Sequence, residues 1–436
     1  MLAILPRARW RRFQPFLRGL AVSETPVPQL GKEELVFLLD KLSTSGEKGS
    51  GAWRVYAAKV QQEVNSYDVQ DLCRIVRAVC RVDFRKRSFL NSVCRRFCSE
   101  ELAELPPRFL AQLLSDLRKL RHFDAPLLER LLKFWQFDAK IKEFNNFDLS
   151  LLLIAFARSA LRDEERLSSI GGALRQKLVN MESSTAAGSL YALALLDFGS
   201  DGTGAALSST VLPRLLGEAC QQELVNIAFA LVALDLPQGE LLSFALQRLV
   251  KQARGLEPIS IHALRIIAHC VQLPQALRPK MRASMEDDEV RRRCVGALRE
   301  VLTVTKDVAI GSPPMSSRLQ AALERYFEEL QVPHLPEQAV GPYVPDFVLP
   351  MKVAVEVDGY THFYAFSQRM TAKSKLKRRV LEALGWGVVS LPHFQWLPMN
   401  HQERLVFLSN KISVAAGQPF SAVRKAPLEG RLRICG

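Results

Sequence analysis

One spacing of apolar residues, Φ-x-x-Φ-Φ-x-x-Φ, returns at nearly constant intervals through the first two thirds of the chain. It narrows the possible folds more than any other feature. It reads Leu35, Leu38, Leu39, Leu42, then Leu72, Ile75, Val76, Val79, then Leu110, Leu113, Leu114, Leu117, then Leu149, Leu152, Leu153, Phe156. A weaker copy follows at Ala187, Leu190, Tyr191, Ala194, another at Leu224, Ile227, Ala228, Leu231, and a seventh, degenerate at one position, at Ile261, Leu264, Arg265, Ala268. Successive copies start 37, 38, 39, 38, 37 and 37 residues apart. Apolar residues at i, i+3, i+4 and i+7 share one helix face, so each copy marks an amphipathic helix. A second helical pattern lies between copies, as in Phe89, Leu90, Val93, Phe97 or Leu127, Leu128, Leu131, Leu132. Each unit is therefore an αα-hairpin, and only stacked neighbours can bury such a hairpin's faces. The expectation is a mainly α chain, with an α-solenoid of about seven αα-hairpins spanning 30–308.

Charge points to a class of partner. With 59 basic and 45 acidic residues among 436, the net charge is +14, and such an excess favours a polyanion through counterion release. No apolar run is long enough to span a membrane. Arg7, Arg9, Arg11, Arg12 and Arg18 precede the first acidic residue, Glu24. Residues 1–24 thus read as a mitochondrial-type transit peptide or as a basic RNA-binding arm. Cys94 and Cys98 stand at i, i+4, but with Cys73 and Cys80 they match no common zinc-module spacing. The cysteines are read as buried thiols of a reducing compartment. Arg74, Arg77, Arg118, Lys119 and Arg121 are candidate contacts on or near the first helices.

After Gly311-Ser312-Pro313-Pro314 the pattern changes. The expected layout is a linker at 309–316, an α/β domain at 317–415 and a basic tail at 416–436. Ser316 or Ser317 would cap a helix through Leu319, Leu323, Tyr326 and Leu330. Strands are expected at 345–350 and 353–358 with a turn at Met351 and Lys352, where Ala354, Glu356 and Asp358 share one face. A helix from Lys373 to Leu384 would stop at Gly385 and lead into a third strand at Gly387–Leu391 in one mixed sheet. Arg369, Lys373, Lys375, Lys377, Arg378 and Arg379 are expected to fan over one exposed face and grip phosphates. Trp386, Phe394 and Trp396 could stack on bases, though aromatics beside apolar strands are more often core. No Gly-rich phosphate loop, kinase signature or Cys-His pair is present.

VAVEVDGYTHF followed by LKRRVLEALGWGVVSLPHFQW resembles the RAP domain, with its E-x-D-G-x-x-H-F segment, basic helix and G-W step. The upstream period resembles octotricopeptide and heptatricopeptide repeats and the helical region of the FAST kinase family. The resemblance implies a fold similar to the restriction-endonuclease-like PD-(D/E)xK nucleases and association with RNA, usually in mitochondria or chloroplasts. By analogy with arrays that read one base per repeat, seven repeats would cover roughly seven nucleotides of single-stranded or loop RNA, ribosomal RNA included. The implied role is a matrix RNA-binding protein acting alone or beside mitoribosomal proteins, with no cofactor.

The alternative is an Mg²⁺-dependent RNA endonuclease. In the nuclease pattern, Asp346 and Glu356 match the metal-holding positions, Asp358 stands where a lysine is usual, and His362 could serve in its place. A third alternative is a scaffold whose groove holds a peptide.

Overall fold

The computed structural model describes residues 30–45, 50–99, 107–120, 122, 124, 126–127, 129–130, 141, 144–199, 201–306 and 318–428. The expected Ser316 or Ser317 cap, the basic arm, Arg121 and the side chains of Leu110 and Arg118 lie outside the described residues. The chain forms two compact units, 1–136 and 137–436.

In the first unit, helices α1 (Lys32–Ser45), α2 (Ser50–Gln62), α3 (Val69–Arg81), α4 (Arg87–Ser99) and α5 (Pro107–Lys119) follow one another. Asp68 caps α3 by accepting the Asp71 N–H at 2.7 Å, satisfying a donor that the first turn leaves unpaired. The repeat signature is the stacking face: Leu72, Ile75, Val76 and Val79 are all buried. α1 packs on α3, α3 on α5, and α2 on α4, so like helices of successive hairpins lie side by side.

The second unit repeats this scheme with α6 (Asn146–Arg158), α7 (Glu164–Arg175), α8 (Ser183–Leu195), α9 (Gln221–Ala233), α10 (Gly239–Val250), α11 (Pro258–Gln272) and α12 (Asp288–Val304). α6, α8, α9 and α11 stack in order, and α10 packs on α12. The first helices of the hairpins begin at 32, 69, 107, 146, 183, 221 and 258, so six of the seven signatures start three residues inside their helix. The fifth does not, which corrects its register: the face is Ala186, Ser189, Leu190 and Leu193, all fully buried, one residue earlier than expected. Ser189 takes an apolar position and α8 is apolar almost all round, so matching on hydrophobicity slid to the neighbouring frame.

A second regularity escapes hydrophobic matching. α3, α6, α8 and α9 each end at a left-handed residue, Asp83, Ala160, Asp197 and Asp235, with φ between 49° and 63°. Each lies fourteen residues beyond the first residue of its helix. The next N–H reaches back into the last turn, as from Phe84 to Val79 O and from Phe198 to Leu193 O. This closes each helix in the Schellman manner with an apolar residue beyond it.

The α/β domain begins with α13 (Arg318–Glu329) and holds strands β1 (Leu335–Pro336), β2 (Phe347–Leu349), β3 (Val353–Asp358) and β4 (Gly387–Pro392), in that spatial order. β2 and β3 are antiparallel, joined through Met351 and Lys352, both left-handed. α14 (Ala372–Ala383) connects β3 to β4, which run parallel. β3 has no solvent face. Val353 and Val355 pack with α13, α15 (His401–Ala416) and α16 (Phe420–Lys425). Ala354 packs with Leu381 of α14 and Trp386 on the other side. The core continues to Val423, beyond the boundary expected at 415. The chain is thus a mainly helical region of stacked helices followed by a small mixed α/β domain with a four-stranded sheet. Among the described residues, no helix is long and apolar enough to cross a membrane.

Candidate nucleic-acid interface

Parallel strands present ligand sites beyond their carboxyl ends. Here β3 and β4 finish level, Asp358 beside Pro392, and the chain leaving β3 makes a short turn, Tyr360–His362. Tyr360 is 76% exposed and its ring lies 3.8 Å from that of His393. His362 Nδ1 meets the buried Asp358 carboxylate at 3.0 Å, and Ser390 Oγ donates to the same carboxylate. The Asp358 contact, more than burial can oppose, holds the His362 pKa above its ordinary value.

Alternation on β3 also places Glu356 inside, and its partner comes from the connecting helix. Lys377 Nζ stands 2.6 Å from the Glu356 carboxylate, donates to Val344 O at 3.2 Å and lies over the Tyr343 ring. Burial still dominates, pushing the Glu356 pKa up to about 7. Asp346 Oδ2 accepts the Val357 N–H at 2.6 Å and Oδ1 accepts from Gln320. Burial raises its pKa as well.

These residues do not fit the Mg²⁺ centre implied by the nuclease pattern. A divalent ion needs several free oxygens, whereas Asp346, Glu356 and Asp358 each already accept donors, and the cation facing Glu356 is Lys377. Among the described residues, none of the triples drawn from Asp346, Glu356, Asp358 and His362 brings its ligand atoms within 4.8 Å of one another.

The six expected phosphate-gripping residues do not share one face. At 100° per residue, Lys373 and Lys377 lie along one stripe of α14, Lys375 and Arg379 along a second, and Arg378 along a third. Lys375 donates to Asp197 at 2.7 Å, and Arg369 to Glu164 at 2.9 Å. Burial lowers the Arg379 pKa against the opposing charges of Asp197 and Asp235. Arg378 pairs along the helix with Glu382 at 2.8 Å. Lys373, Arg378 and Arg369 are the exposed members. Elsewhere, Arg77 is exposed, Lys119 is exposed, and Arg74 pairs with Asp71 at 3.1 Å. Trp386 and Trp396 are core, 7% and 2% exposed. Phe394 packs edge-on against Phe363.

The inward stripe of α14 and the loop before it fasten the α/β domain to the turns of the helical stack. Tyr364 Oη donates to Leu195 O at 2.8 Å, and the Ala365 N–H to Ala160 O at 2.8 Å. Asp197 also accepts from Arg278 at 2.9 Å. Burial works against the Asp197 carboxylate, but Lys375 and Arg278 outweigh it and hold its pKa below the usual range. Sequence reasoning missed Tyr360, His393 and Asp197. The recurrent left-handed turn was the available signal for Asp197.

Residues 355–411 match the family model of the RAP domain. No curated protein matches the chain.

Proposed function

We propose that this chain is a non-catalytic RNA-binding protein of the mitochondrial matrix. In this reading the helical stack cradles single-stranded or loop RNA and the α/β domain holds a phosphate-rich end. The observation that carries it is the RAP match, on a domain whose strand end offers the rings of Tyr360 and His393 and which also exposes Arg369, Lys373 and Arg378. An open recess of about 710 Å³ lies between the start of α9 and the end of α10 of the stack, with Lys251 and Arg254 among its lining. The arginine-rich, acid-free start of the chain supports the organelle. Ribosomal RNA is the fitting target for a basic repeat protein that stays bound, and stoichiometric co-purification with mitoribosomes at high salt tests that part. The endonuclease alternative gains nothing from the geometry, since the three carboxylates are already engaged.

The direct test is anisotropy with labelled single-stranded RNA across a salt series. Lys373→Gln with Arg378→Gln leaves the internal pairs of Lys375 and Lys377 in place. If each side chain neutralises one phosphate, the slope of log K against log salt falls by about 1.4 in magnitude. Unchanged affinity and slope would remove the reading.

A further inference from the structure

The first unit holds a cluster that the RNA-binding reading does not use. Cys94 lies on α4 and is fully buried. His122 follows α5, where its N–H reaches back to Leu117 O at 2.9 Å and wraps the helix end. Asp124 Oδ1 accepts the Leu127 N–H at 2.9 Å, which fixes that carboxylate at the start of the next turn. The sulfur of Cys94, a ring nitrogen of His122 and a carboxylate oxygen of Asp124 all lie within 4.8 Å of one another. Among the described residues this is the one group of three so placed.

A second observation points to a ligand. The His122 side chain is 8% exposed, and its Nε2 has no hydrogen-bond partner. Asp124 Oδ2 stops 4.0 Å short of it, beyond hydrogen-bonding range. Buried polar atoms are nearly always satisfied, so an orphan aimed at a thiol and a carboxylate calls for an explanation.

We propose that Cys94, His122 and Asp124 form a structural Zn²⁺ site, pinning α4 to the segment that leaves α5. Thiolate and imidazole donors select zinc over magnesium or calcium, which take oxygen. Tetrahedral zinc with bonds of about 2.0 to 2.3 Å needs ligand atoms roughly 3.5 Å apart, so the cluster closes by about 1 Å through side-chain rotation. Binding replaces the Cys94 thiol proton with the metal and releases that proton to solvent. A single cysteine followed far along by His-x-Asp fits no common zinc module, which is why Cys94 read as a plain buried thiol in the sequence.

The test uses the full-length protein, stripped with a chelator and titrated with Zn²⁺ alone against a competing indicator, and with Co²⁺ for spectroscopy. The expected result is one tight equivalent per chain and a thiolate-to-cobalt charge-transfer band. Cys94→Ser and His122→Ala should each weaken Zn²⁺ binding at least about tenfold, the smallest effect usual for disturbing such a site. Cys73→Ser, a buried thiol on α3, should leave both signals intact. Should Cys94→Ser or His122→Ala unfold, the wild-type cobalt band and its survival in Cys73→Ser decide alone. A wild-type protein with no such band, or with Zn²⁺ affinity equal to that of His122→Ala, overturns the proposal.

Discussion

Replacing Lys377 by methionine should destabilise the α/β domain by an amount that depends steeply on pH, and the buried Glu356 sets that dependence. Glu356 is 6% exposed, and its pKa rises from an ordinary 4.5 to about 7 because burial outweighs Lys377. A carboxyl raised on folding binds more protons in the folded state, so stability falls as pH climbs through the window between the two values. That window spans about 2.5 pH units at about 1.4 kcal/mol each, or about 3 kcal/mol in all. In the wild type the loss ends near pH 7. Without Lys377 the folded pKa moves higher and the loss continues. At pH 6 Glu356 is mostly protonated with or without the lysine, so little of the variant's cost passes through it. Between pH 7 and 8.5 the cost should grow by about 1.4 kcal/mol for each pH unit by which the folded pKa has risen. The lost contacts of Lys377 with Val344 O and the Tyr343 ring are common to both pH values and cancel in the comparison. Native-state hydrogen exchange of the β3 and β4 amides in the intact chain, corrected for intrinsic rates, reads the difference. Equal destabilisation at the two pH values, or a pH dependence that survives in Glu356→Gln/Lys377→Met, would refute the reasoning.

Asp197→Ala should loosen the α/β domain from the stack, costing about 2 kcal/mol for the lost charged hydrogen bonds and raising exchange in α14 before β3. The lowered Asp197 pKa adds stability that is present above its ordinary carboxylate range and lost as pH falls through its folded value. An acid titration of α14 protection should therefore fall less in Asp197→Ala than in the wild type below about pH 4. Gly387→Ala should yield insoluble or unfolded α/β domain, because a Cβ there lands on the Ala415 carbonyl; normal melting would show that β4 and α15 are further apart. Tyr360→Ala should weaken single-stranded RNA binding by about 1 to 3 kcal/mol if a base stacks there, with the salt slope unchanged. A loss of slope instead would mean that the ring positions a cation.

The repeats were legible because burying one face of a hairpin forces apolar residues into fixed places, and the period survives substitution of single positions. It failed at α8, where Ser189 is buried and Tyr191 is half-exposed, so the apolar count favoured the wrong frame. The hairpin of β2 and β3 and the parallel β4 followed from a period of two and a helical crossover. The expected single face of cations divides for a different reason. Lys375, Lys377 and Arg378 are close in sequence but point in three directions, and their partners Asp197 and Glu356 lie 178 and 21 residues away. Hydrophobic patterning carries no information about such pairings. Helix geometry alone could have divided the stripes.

The left-handed turn residues act as the marks of a ruler along one edge of the second unit. Ala160 has only a methyl group to offer Lys375, and Asp235 has already committed an oxygen to the Met281 N–H at 2.9 Å. Asp197 alone among these three marks is both acidic and turned toward Lys375. The α/β domain therefore has a single notch in which to seat. Shifting that acid by one hairpin, with Asp197→Ala and Ala160→Asp together, would ask the domain to take a new address.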